Sequence, residues 1–270
     1  MQNRWWLGLT IGNSRLHWAC FSGETLCCAW DSDHLSAADV PQVAKCWAVG
    51  KYDQKFFPPS LISQLERTGG TPSHLPVYLA SVVPAQTSLW QTLPGVRVIT
   101  LEQIPLPGTY PTLGVDRALA LWGAGVTLSW PVLVIDAGTA LTFTGADSDR
   151  QLVGGAILPG LKLQLNSLAQ GTAALPKIEL PSQMPPRWAA TTQASIHSGV
   201  IYTLLAGVRD FISAWWQQFP ESRIAITGGD RTLLLTYLQA QFPEVAAGVI
   251  ADPHLIFWGM RSLKVISFEL

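Results

Sequence analysis

The chain has 270 residues, of which 48% are hydrophobic and only 13% are charged, and its formal net charge is −1. This large apolar fraction excludes a disordered chain, and the balanced charge argues against a general attraction to nucleic acid or to an anionic membrane surface. The 4 cysteines lie in the first fifth of the chain without zinc-ligand spacing. They therefore indicate reduced thiols and not a disulfide framework.

The beginning of the chain, MQNRWWLGLTIG, lacks the apolar segment and the cleavage site of a secretory signal. The uncharged stretch 118–135 approaches membrane-spanning length, but its glycines and Pro131 divide it into a helix and a following strand. We therefore expect a soluble, cytoplasmic protein that has neither a membrane nor a nucleic acid as its partner.

The first predicted element is a β-hairpin, WLGLTIGNSRLHWACF (6–21), with a tight turn at Gly12. A glycine at this position permits a positive φ, and we expect it to let the backbone approach a ligand. Asn13 and Ser14 add short donors that suit phosphate oxygens, although ordinary hairpin turns favour the same residues. The apolar segments ETLCCAWDS, CWAVG, PVYLASVVP and VRVIT are predicted to continue the β-structure, with helices between them.

The stretch TLGVDRALALWGA (112–124) is predicted to begin a helix after Gly114. Asp116 and Arg117 lie in its first turn. An ordinary helix start with Asp116 as N-cap explains this placement, because the helix dipole favours an acid there. The functional alternative makes Asp116 a general base and Arg117 an anion clamp.

A second hairpin, VLVIDAGTALTFTG (132–145), repeats the plan of the first. Its apolar strand ends with Asp136, whose carboxylate needs a cation or several donors if it is buried. The hydroxyls of Thr139 and Thr142 and the amide of Gly138 could face a phosphate. The strand QLVGGAILPG, helices over 161–171, 192–219 and 231–242, a Pro-rich surface loop over 175–188 and the strand RIAITGGD follow.

The duplicated order of a hairpin followed by strands and helices predicts an α/β fold of two lobes. We place the N-terminal lobe at residues 1–128 and the C-terminal lobe at residues 129–270. The glycines of ITGGD and LVGGAILPG permit close backbone approach, as in nucleotide loops, but tight turns also use them. Because the chain has no Walker-type lysine loop and no Gly-x-Gly-x-x-Gly motif, a P-loop or dinucleotide fold is unsupported.

The histidines are scattered along the chain without metal-ligand spacing. We expect each of them to be a surface residue or a polar residue of the core. The five positions are His17, His34, His74, His197 and His254.

Taken together and in this order, the motifs resemble the type III pantothenate kinase family, which is part of the larger group of sugar kinases, Hsp70 and actin. The segments that carry the resemblance are IGNSRLHWACF, ASVVP, GVDR, VIDAGTALTF, LVGGAILPGL, AALP, TTQASIHSGV, ITGGD and DPHLIFWGM. The resemblance implies two ribonuclease-H-like lobes with a nucleotide cleft between them. It also implies phosphorylation of pantothenate by ATP to 4′-phosphopantothenate, the first step of coenzyme A biosynthesis.

The resemblance also implies roles for individual residues. Asp116 corresponds to the proton acceptor for the primary hydroxyl of pantothenate, and Asp136 to the ligand of a monovalent cation, potassium or ammonium. The implied pantothenate contacts are Tyr110, Gly114, Val115, Arg117 and Thr192, the last supplied across a homodimer interface. The implied ATP contacts are Thr10, Ile11, Gly12, Asn13, Ser14, Arg15, Leu16, His17, Thr139, Gly228 and Gly229.

Two positions depart from the family pattern. The first loop of the family reads Asp-x-Gly-Asn-Thr, whereas this chain has Thr10 in place of the aspartate and Ser14 in place of the threonine. The missing carboxylate helps to hold Mg²⁺ near the phosphates in the family, although Mg²⁺ is bound mainly by phosphates and water. A catalytically weakened, nucleotide-binding regulatory relative is therefore an alternative. Two others are another small-molecule kinase or phosphatase of this architecture and a structural protein that packs through its 12 tryptophans.

Overall fold

The computed structural model describes residues 5–67 and 75–266, so that His74 lies outside the described residues. Two five-stranded mixed sheets carry the fold, with helices between their strands. The chain divides into two compact units. The first unit comprises Met1–Ile104, Thr112–Leu119 and Met260–Leu270, and the second comprises Pro105–Pro111 and Ala120–Gly259. The lobe boundary that we placed after residue 128 stays a prediction.

The sheet of the first unit has the strand order β3-β2-β1-β4-β5. Strand β2 is antiparallel to both of its neighbours, β1 and β3, whereas β4 and β5 continue the sheet parallel to β1. The strands are β1 (Trp5–Ile11), β2 (Leu16–Ser22), β3 (Thr25–Ser32), β4 (Val77–Ser81) and β5 (Val96–Val98). The helices are α1 (Val40–Val49), α2 (Pro59–Arg67) and α3 (Pro84–Trp90), and a 3₁₀ turn covers Leu101–Gln103.

The sheet of the second unit has the equivalent order β10-β9-β6-β7-β8. Its β6, β7 and β8 form the antiparallel part, and β9 and β10 run parallel to β6. The strands are β6 (Val132–Ala137), β7 (Ala140–Ala146), β8 (Leu152–Pro159), β9 (Arg223–Thr227) and β10 (Val249–Ala251). The helices of this unit are α5 (Leu161–Gly171), α6 (Thr192–Gln218), α7 (Arg231–Gln241) and α8 (Pro243–Ala246). Helices α4 (Val115–Leu128) and α9 (Leu255–Ile266) each have residues in both units. The repeated strand order confirms the duplicated α/β fold predicted from the two hairpins.

The prediction of β-structure for CWAVG is wrong, because this segment forms the end of helix α1. Val40, Val43 and Trp47 are buried at the spacing of one helix face. Gly50, at φ 65°, ends the helix in the left-handed conformation. Five apolar residues in a row do not distinguish a buried strand from a buried helix turn.

The uncharged stretch 118–135 has the predicted form of a helix followed by a strand. Helix α4 ends at Leu128, Ser129 adopts a φ of 124°, and β6 begins at Val132. Among the helices of the described residues, none has both the length and the apolar character that crossing a membrane would require.

Alternate residues of β1 fix the core of the first unit. Leu7, Leu9 and Ile11 point into one buried cluster together with the indoles of Trp18 and Trp90, whose ring centroids are 5.3 Å apart. Because the side chains of a strand alternate between faces, Thr10 lies on the opposite face of the sheet from this cluster. The tight packing of β1 therefore gives the hairpin turn that follows it a rigid base.

The Pro-rich segment 175–188 has no regular structure but is fastened to helices α6 and α7 by side chains that donate to its carbonyl oxygens. His197 Nε2 lies 2.7 Å from the Glu179 oxygen, and the Tyr202 hydroxyl donates to the Pro185 oxygen at 2.9 Å. His197 is buried, in agreement with the expectation of a polar residue in the core.

Candidate active site

The first hairpin turn lies beside the end of strand β4. Ile11 pairs with Ser81, and the N–H of Val82 donates to the Ile11 oxygen at 3.2 Å. The turn is closed by the Gly12 N–H, which donates to the Arg15 oxygen at 3.1 Å. The carboxyl ends of two parallel strands and the exposed turn therefore meet at one end of the first sheet.

Neither of the two turn glycines, Gly12 and Gly138, uses the positive φ that glycine permits. A Cβ on Gly12 would meet the Arg15 oxygen at 3.6 Å, which is an ordinary contact distance. The expectation that the Gly138 amide could face a phosphate is wrong, because its N–H donates to the Ala140 oxygen at 3.1 Å within its own turn. Any phosphate contact must therefore come from other groups of these turns.

Thr10 and His17 form a cross-strand pair at the base of the first turn. Thr10 is only 4% exposed, so that a small hydroxyl occupies the buried position where the family pattern has a carboxylate. His17 is half-buried, and its Nδ1 lies 2.7 Å from Asp31 Oδ1. The turn residues between them, Asn13 to Arg15, are exposed to solvent.

Asp116 lies in the first turn of helix α4, and its carboxylate folds back over Gly114. Asp116 Oδ1 accepts a hydrogen bond of 2.8 Å from the Arg117 N–H. A Cβ on Gly114 would overlap this carboxylate oxygen and would lie 3.8 Å from Val82 Cγ1. Because Val82 also binds the Ile11 carbonyl, Asp116 and the first hairpin turn lie at the same end of the first unit.

Burial raises the pKa of Asp116 above its ordinary value, because the charged carboxylate loses contact with water. The Arg117 N–H and the Arg117 guanidinium act in the opposite direction but do not cancel the effect. A half-buried acid with a raised pKa is the pattern expected of a group that exchanges protons with a substrate.

The remaining residues of the predicted pantothenate site belong to the second unit. Tyr110 is 42% exposed, and Thr192 is the exposed first residue of α6. The neighbouring Thr191 is the N-cap of this helix, and its hydroxyl oxygen accepts from the Ala194 N–H at 3.3 Å. The hydroxyl of Thr192 is therefore not the one that caps the helix.

Asp136 is flanked by polar residues on both neighbouring strands. It pairs with Thr142 on β7 and with Thr227 on β9, and both threonines are buried. Residues directly opposite one another in adjacent strands project from the same face of a sheet. Asp136 therefore lies in a polar row across three strands, at the end of the otherwise apolar strand β6.

The loop after β9 closes over the end of β6. Gly228 adopts a φ of 89°, and a Cβ on it would overlap Asp136 Oδ1 and would approach the Ala137 oxygen to 2.6 Å. The Asp230 N–H donates to the same Ala137 oxygen at 2.8 Å. The predicted residues Asp136, Gly228 and Gly229 are thus brought together around one carboxylate.

The exposed Thr139 is held from the other side by the end of β8, since the Gly160 N–H donates to its carbonyl oxygen at 2.9 Å. Two residues later, Lys162 places its ammonium 2.6 Å from Asp230 Oδ1. Residues at or just after the ends of strands β6, β8 and β9 therefore form one cluster in the second unit, which we call the Asp136 cluster: Asp136 to Thr139, Gly160, Lys162 and Gly228 to Asp230.

The sequence matches the family model described as type III pantothenate kinase over residues 6–214. A protein from Nostoc sp. named type III pantothenate kinase is 52% identical over 269 residues, covering 96% of this chain and 94% of its own length. A protein of the same name from Synechocystis sp. is 42% identical over 261 residues, with 96% and 90% of the two chains covered. The chain belongs to the type III pantothenate kinase family.

Two solved structures have the same fold as this family member. A structure from Campylobacter jejuni, described as a Baf family transcriptional activator, has a TM-score of 0.61 at 18% identity and covers 98% of this chain and all (100%) of its own. The activator of 2-hydroxyisocaproyl-CoA dehydratase from Clostridium difficile, solved with ADPNP, has a TM-score of 0.51 at 10% identity, with 98% of both chains covered. At these identities the likeness concerns the fold alone.

Three residues beside the predicted sites are not indicated as site residues by the sequence motifs: His34, Lys162 and Asp230. His34 Nε2 lies 2.8 Å from the Gly12 oxygen, and Lys162 and Asp230 form the ion pair described above. The members of these contacts are separated by 22 and 68 residues in the sequence, so that no local pattern joins them. The local sequence signal for these contacts was Lys162, which follows Pro-Gly-Leu at the start of α5.

The described residues contain no cluster of three or more His, Cys, Asp or Glu side chains that could hold a metal ion. At the end of β1 the buried side chain is the neutral Thr10, which does not fit an inner-sphere Mg²⁺ ligand set of its own. Asp136, with threonine and carbonyl oxygens around it, offers the oxygen donors that suit an alkali cation.

Proposed function

We propose that the protein transfers the γ-phosphoryl group of ATP to pantothenate and forms 4′-phosphopantothenate, the first step of coenzyme A biosynthesis. The family membership and the names of the relatives support this reaction. The observation that carries it is the Asp116 carboxylate, which lies on Gly114 beside the end of β4 and the first hairpin turn.

Asp116 would accept the proton of the pantothenate primary hydroxyl as its oxygen attacks the γ-phosphorus in line. Phosphoryl transfer depends mostly on positioning and on neutralisation of charge, so the base need only remove the proton late in the step. A raised pKa makes the carboxylate a better acceptor than an exposed aspartate. Arg117 would hold the anionic end of pantothenate, and the pantothenate site would also include Tyr110, Gly114 and Val115.

The ATP phosphates would be bound by the first hairpin turn, residues Thr10 to His17. The Gly12 N–H is committed to the Arg15 oxygen, so that the exposed Asn13 and Ser14 are the donors proposed for the phosphates. In the second unit, Thr139, Gly228 and Gly229 would contact the nucleotide. Their backbone is fixed by the hydrogen bonds of Gly160 and Asp230 described above.

A divalent metal, Mg²⁺, would be held by the phosphates and by water, because the turn supplies no carboxylate at position 10. Asp136 would bind a monovalent cation, potassium or ammonium, through its carboxylate and the oxygens around it. Such a cation supplies positive charge that offsets the phosphates. The cation also explains why a carboxylate is retained at the end of an apolar strand.

We also propose a homodimer in which Thr192 of one copy contributes to the pantothenate site of its partner. The exposed position of Thr192 at the start of α6, with helix capping left to Thr191, supports an intermolecular role. Thr192→Ala should raise the KM for pantothenate without changing the KM for ATP.

The test of the proposed function is release of ADP that depends on pantothenate, measured with and without potassium. The expected result is stoichiometric ADP and 4′-phosphopantothenate, with a rate that increases with potassium. ATP binding without any turnover would instead indicate the regulatory relative suggested by Thr10. Turnover with other alcohols but not with pantothenate would reassign the acceptor.

A further inference from the structure

His34 lies outside the predicted site and contacts the backbone of the first hairpin turn. Its Nε2 lies 2.8 Å from the carbonyl oxygen of Gly12. Because a carbonyl oxygen only accepts, this ring nitrogen must carry the proton and donate it. We propose that His34 is a positioning residue for the nucleotide phosphates, which fixes the orientation of the Gly12–Asn13 peptide. The proposal rests on the phosphate-binding role assigned to this turn.

The planar peptide bond links the orientation of the Gly12 carbonyl to that of the Asn13 N–H. In a trans peptide the C=O and the following N–H point to opposite sides. When His34 holds the Gly12 carbonyl, the Asn13 N–H is therefore directed to the side of the turn away from His34. This amide would then stand ready to donate to a phosphate oxygen.

The preceding peptide is fixed in the same way. The Ile11 carbonyl accepts from the Val82 N–H at 3.2 Å, and the Gly12 N–H donates to the Arg15 oxygen at 3.1 Å. Two successive carbonyls of the turn, those of Ile11 and Gly12, therefore each accept a hydrogen bond from a residue outside the turn. Preorganised amides of this kind bind anions without a cost of reorientation when the ligand arrives.

The fold explains why residue 34 reaches residue 12. Strand β3 pairs with β2 through Leu16 opposite Ser32 and His17 opposite Asp31. The chain therefore leaves β3 next to the turn at which β2 begins, and the half-buried His34 follows two residues later. The Gly12 side of the peptide has no Cβ to restrict its rotation, so an external donor is needed to select one orientation.

A positioning role and a general structural role predict different binding. If His34 orients a phosphate donor, His34→Phe keeps the ring but removes the donor, and it should weaken ATP binding about tenfold, the size of one net hydrogen bond. Adenosine, which has no phosphate, should bind with unchanged affinity. His34→Gln should restore ATP binding, because its side-chain amide donates at a similar reach.

The matched control is Asp33→Asn, which alters the charge of the exposed neighbouring residue and should leave both affinities unchanged. Titration calorimetry of each variant with ATP and with adenosine gives the readout, and circular dichroism confirms folding. An unchanged ATP affinity in His34→Phe, or equal losses for ATP and adenosine, would overturn the proposal. If His34→Phe does not fold, His34→Gln is compared with His34→Asn, whose side chain is too short to reach the Gly12 carbonyl. Equal ATP affinities of these two variants would overturn the proposal.

The binding assay also separates this proposal from the proposed function. A wild-type protein that binds ATP but does not phosphorylate pantothenate would contradict the assigned reaction, while the His34 comparison would remain decisive. Conversely, active enzyme with wild-type ATP affinity in His34→Phe would contradict only the role of His34.

Discussion

Gly228 lies against the carboxylate of Asp136 with no room for a side chain between them. A Cβ at this position would overlap Asp136 Oδ1, and the glycine has a φ of 89°. The next residue, Gly229, has no heavy atom within 4 Å of its Cβ position and no positive φ. The two adjacent glycines of ITGGD are therefore under different constraints, although the sequence presents them as equivalent.

We expect Gly228→Ala to lower the free energy of unfolding by about 2–4 kcal/mol, because it adds backbone strain and a clash with a carboxylate. Gly229→Ala should change it by less than about 1 kcal/mol. Urea unfolding of both variants measures the difference. Equal losses would show that Asp136 and its loop relax to admit a side chain.

Asp116→Asn should lower kcat by at least about 100-fold, since it removes the proposed proton acceptor. ATP affinity should remain unchanged, because the amide oxygen of Asn can still accept the Arg117 N–H that positions the side chain. Steady-state ADP release and nucleotide titration measure the two quantities. A variant with full turnover would contradict the assigned base.

The same variant should be more stable than the wild type at neutral pH. Burial raises the pKa of Asp116 from its ordinary 3.8, so the folded state retains the proton more readily than the unfolded state does. The contribution of Asp116 to wild-type stability therefore becomes less favourable as the pH rises from the unfolded pKa through the folded pKa. The Tm advantage of Asp116→Asn should be absent below about pH 3.5 and should grow above it.

Asp39 provides a control of opposite sign for that experiment. Its hydrogen bonds with Lys55 and Ser36 lower its pKa, so its contribution to stability is present above the ordinary pKa and is lost on acidification. Asp39→Asn should therefore lower the Tm at neutral pH and have no effect in strong acid. Parallel pH–Tm profiles for the two variants would contradict the assignment of Asp116 as a desolvated acid.

Asp136→Asn should abolish the stimulation of turnover by potassium, because the neutral amide no longer attracts the cation. Asp149→Asn, at an exposed position in the loop between β7 and β8, should keep the potassium response of the wild type. Rates of ADP release measured over a potassium series give the comparison. An unaltered potassium dependence in Asp136→Asn would place the cation elsewhere.

Cys28 should be alkylated at lower pH than Cys27. A hydrogen bond from Cys20 lowers the pKa of Cys28, whereas burial raises the pKa of Cys27, and all four cysteines are free. Because the thiolate is the reactive form, iodoacetamide should modify Cys28 first. Peptide mass spectrometry over a pH series measures this order, and Cys20→Ala should remove the advantage of Cys28.

Local patterns in the sequence determined much of the fold. The two hairpins, the strand of residues 152–159 and the helix of residues 161–171 were predictable because their alternation, glycine turns and helical spacing lie within one short window. Their repeated order also predicted the duplicated α/β fold, whereas the strand order of the two sheets came from the structure. The exception, CWAVG, is too short for its period to show, and only packing around Trp47 makes it a helix.

The tertiary structure alone decided which groups meet at the candidate site. The sequence showed a hydroxyl at Thr10, but the burial of that hydroxyl follows from the packing of β1. It showed glycines at residues 12 and 228, but strand pairing decided that the amide of Gly12 is already bonded and that only Gly228 needs a positive φ. The contacts of His34 with Gly12 and of Lys162 with Asp230 join distant residues through the order of strands. Such contacts depend on how elements are arranged in space, which a one-dimensional pattern of residue types does not record.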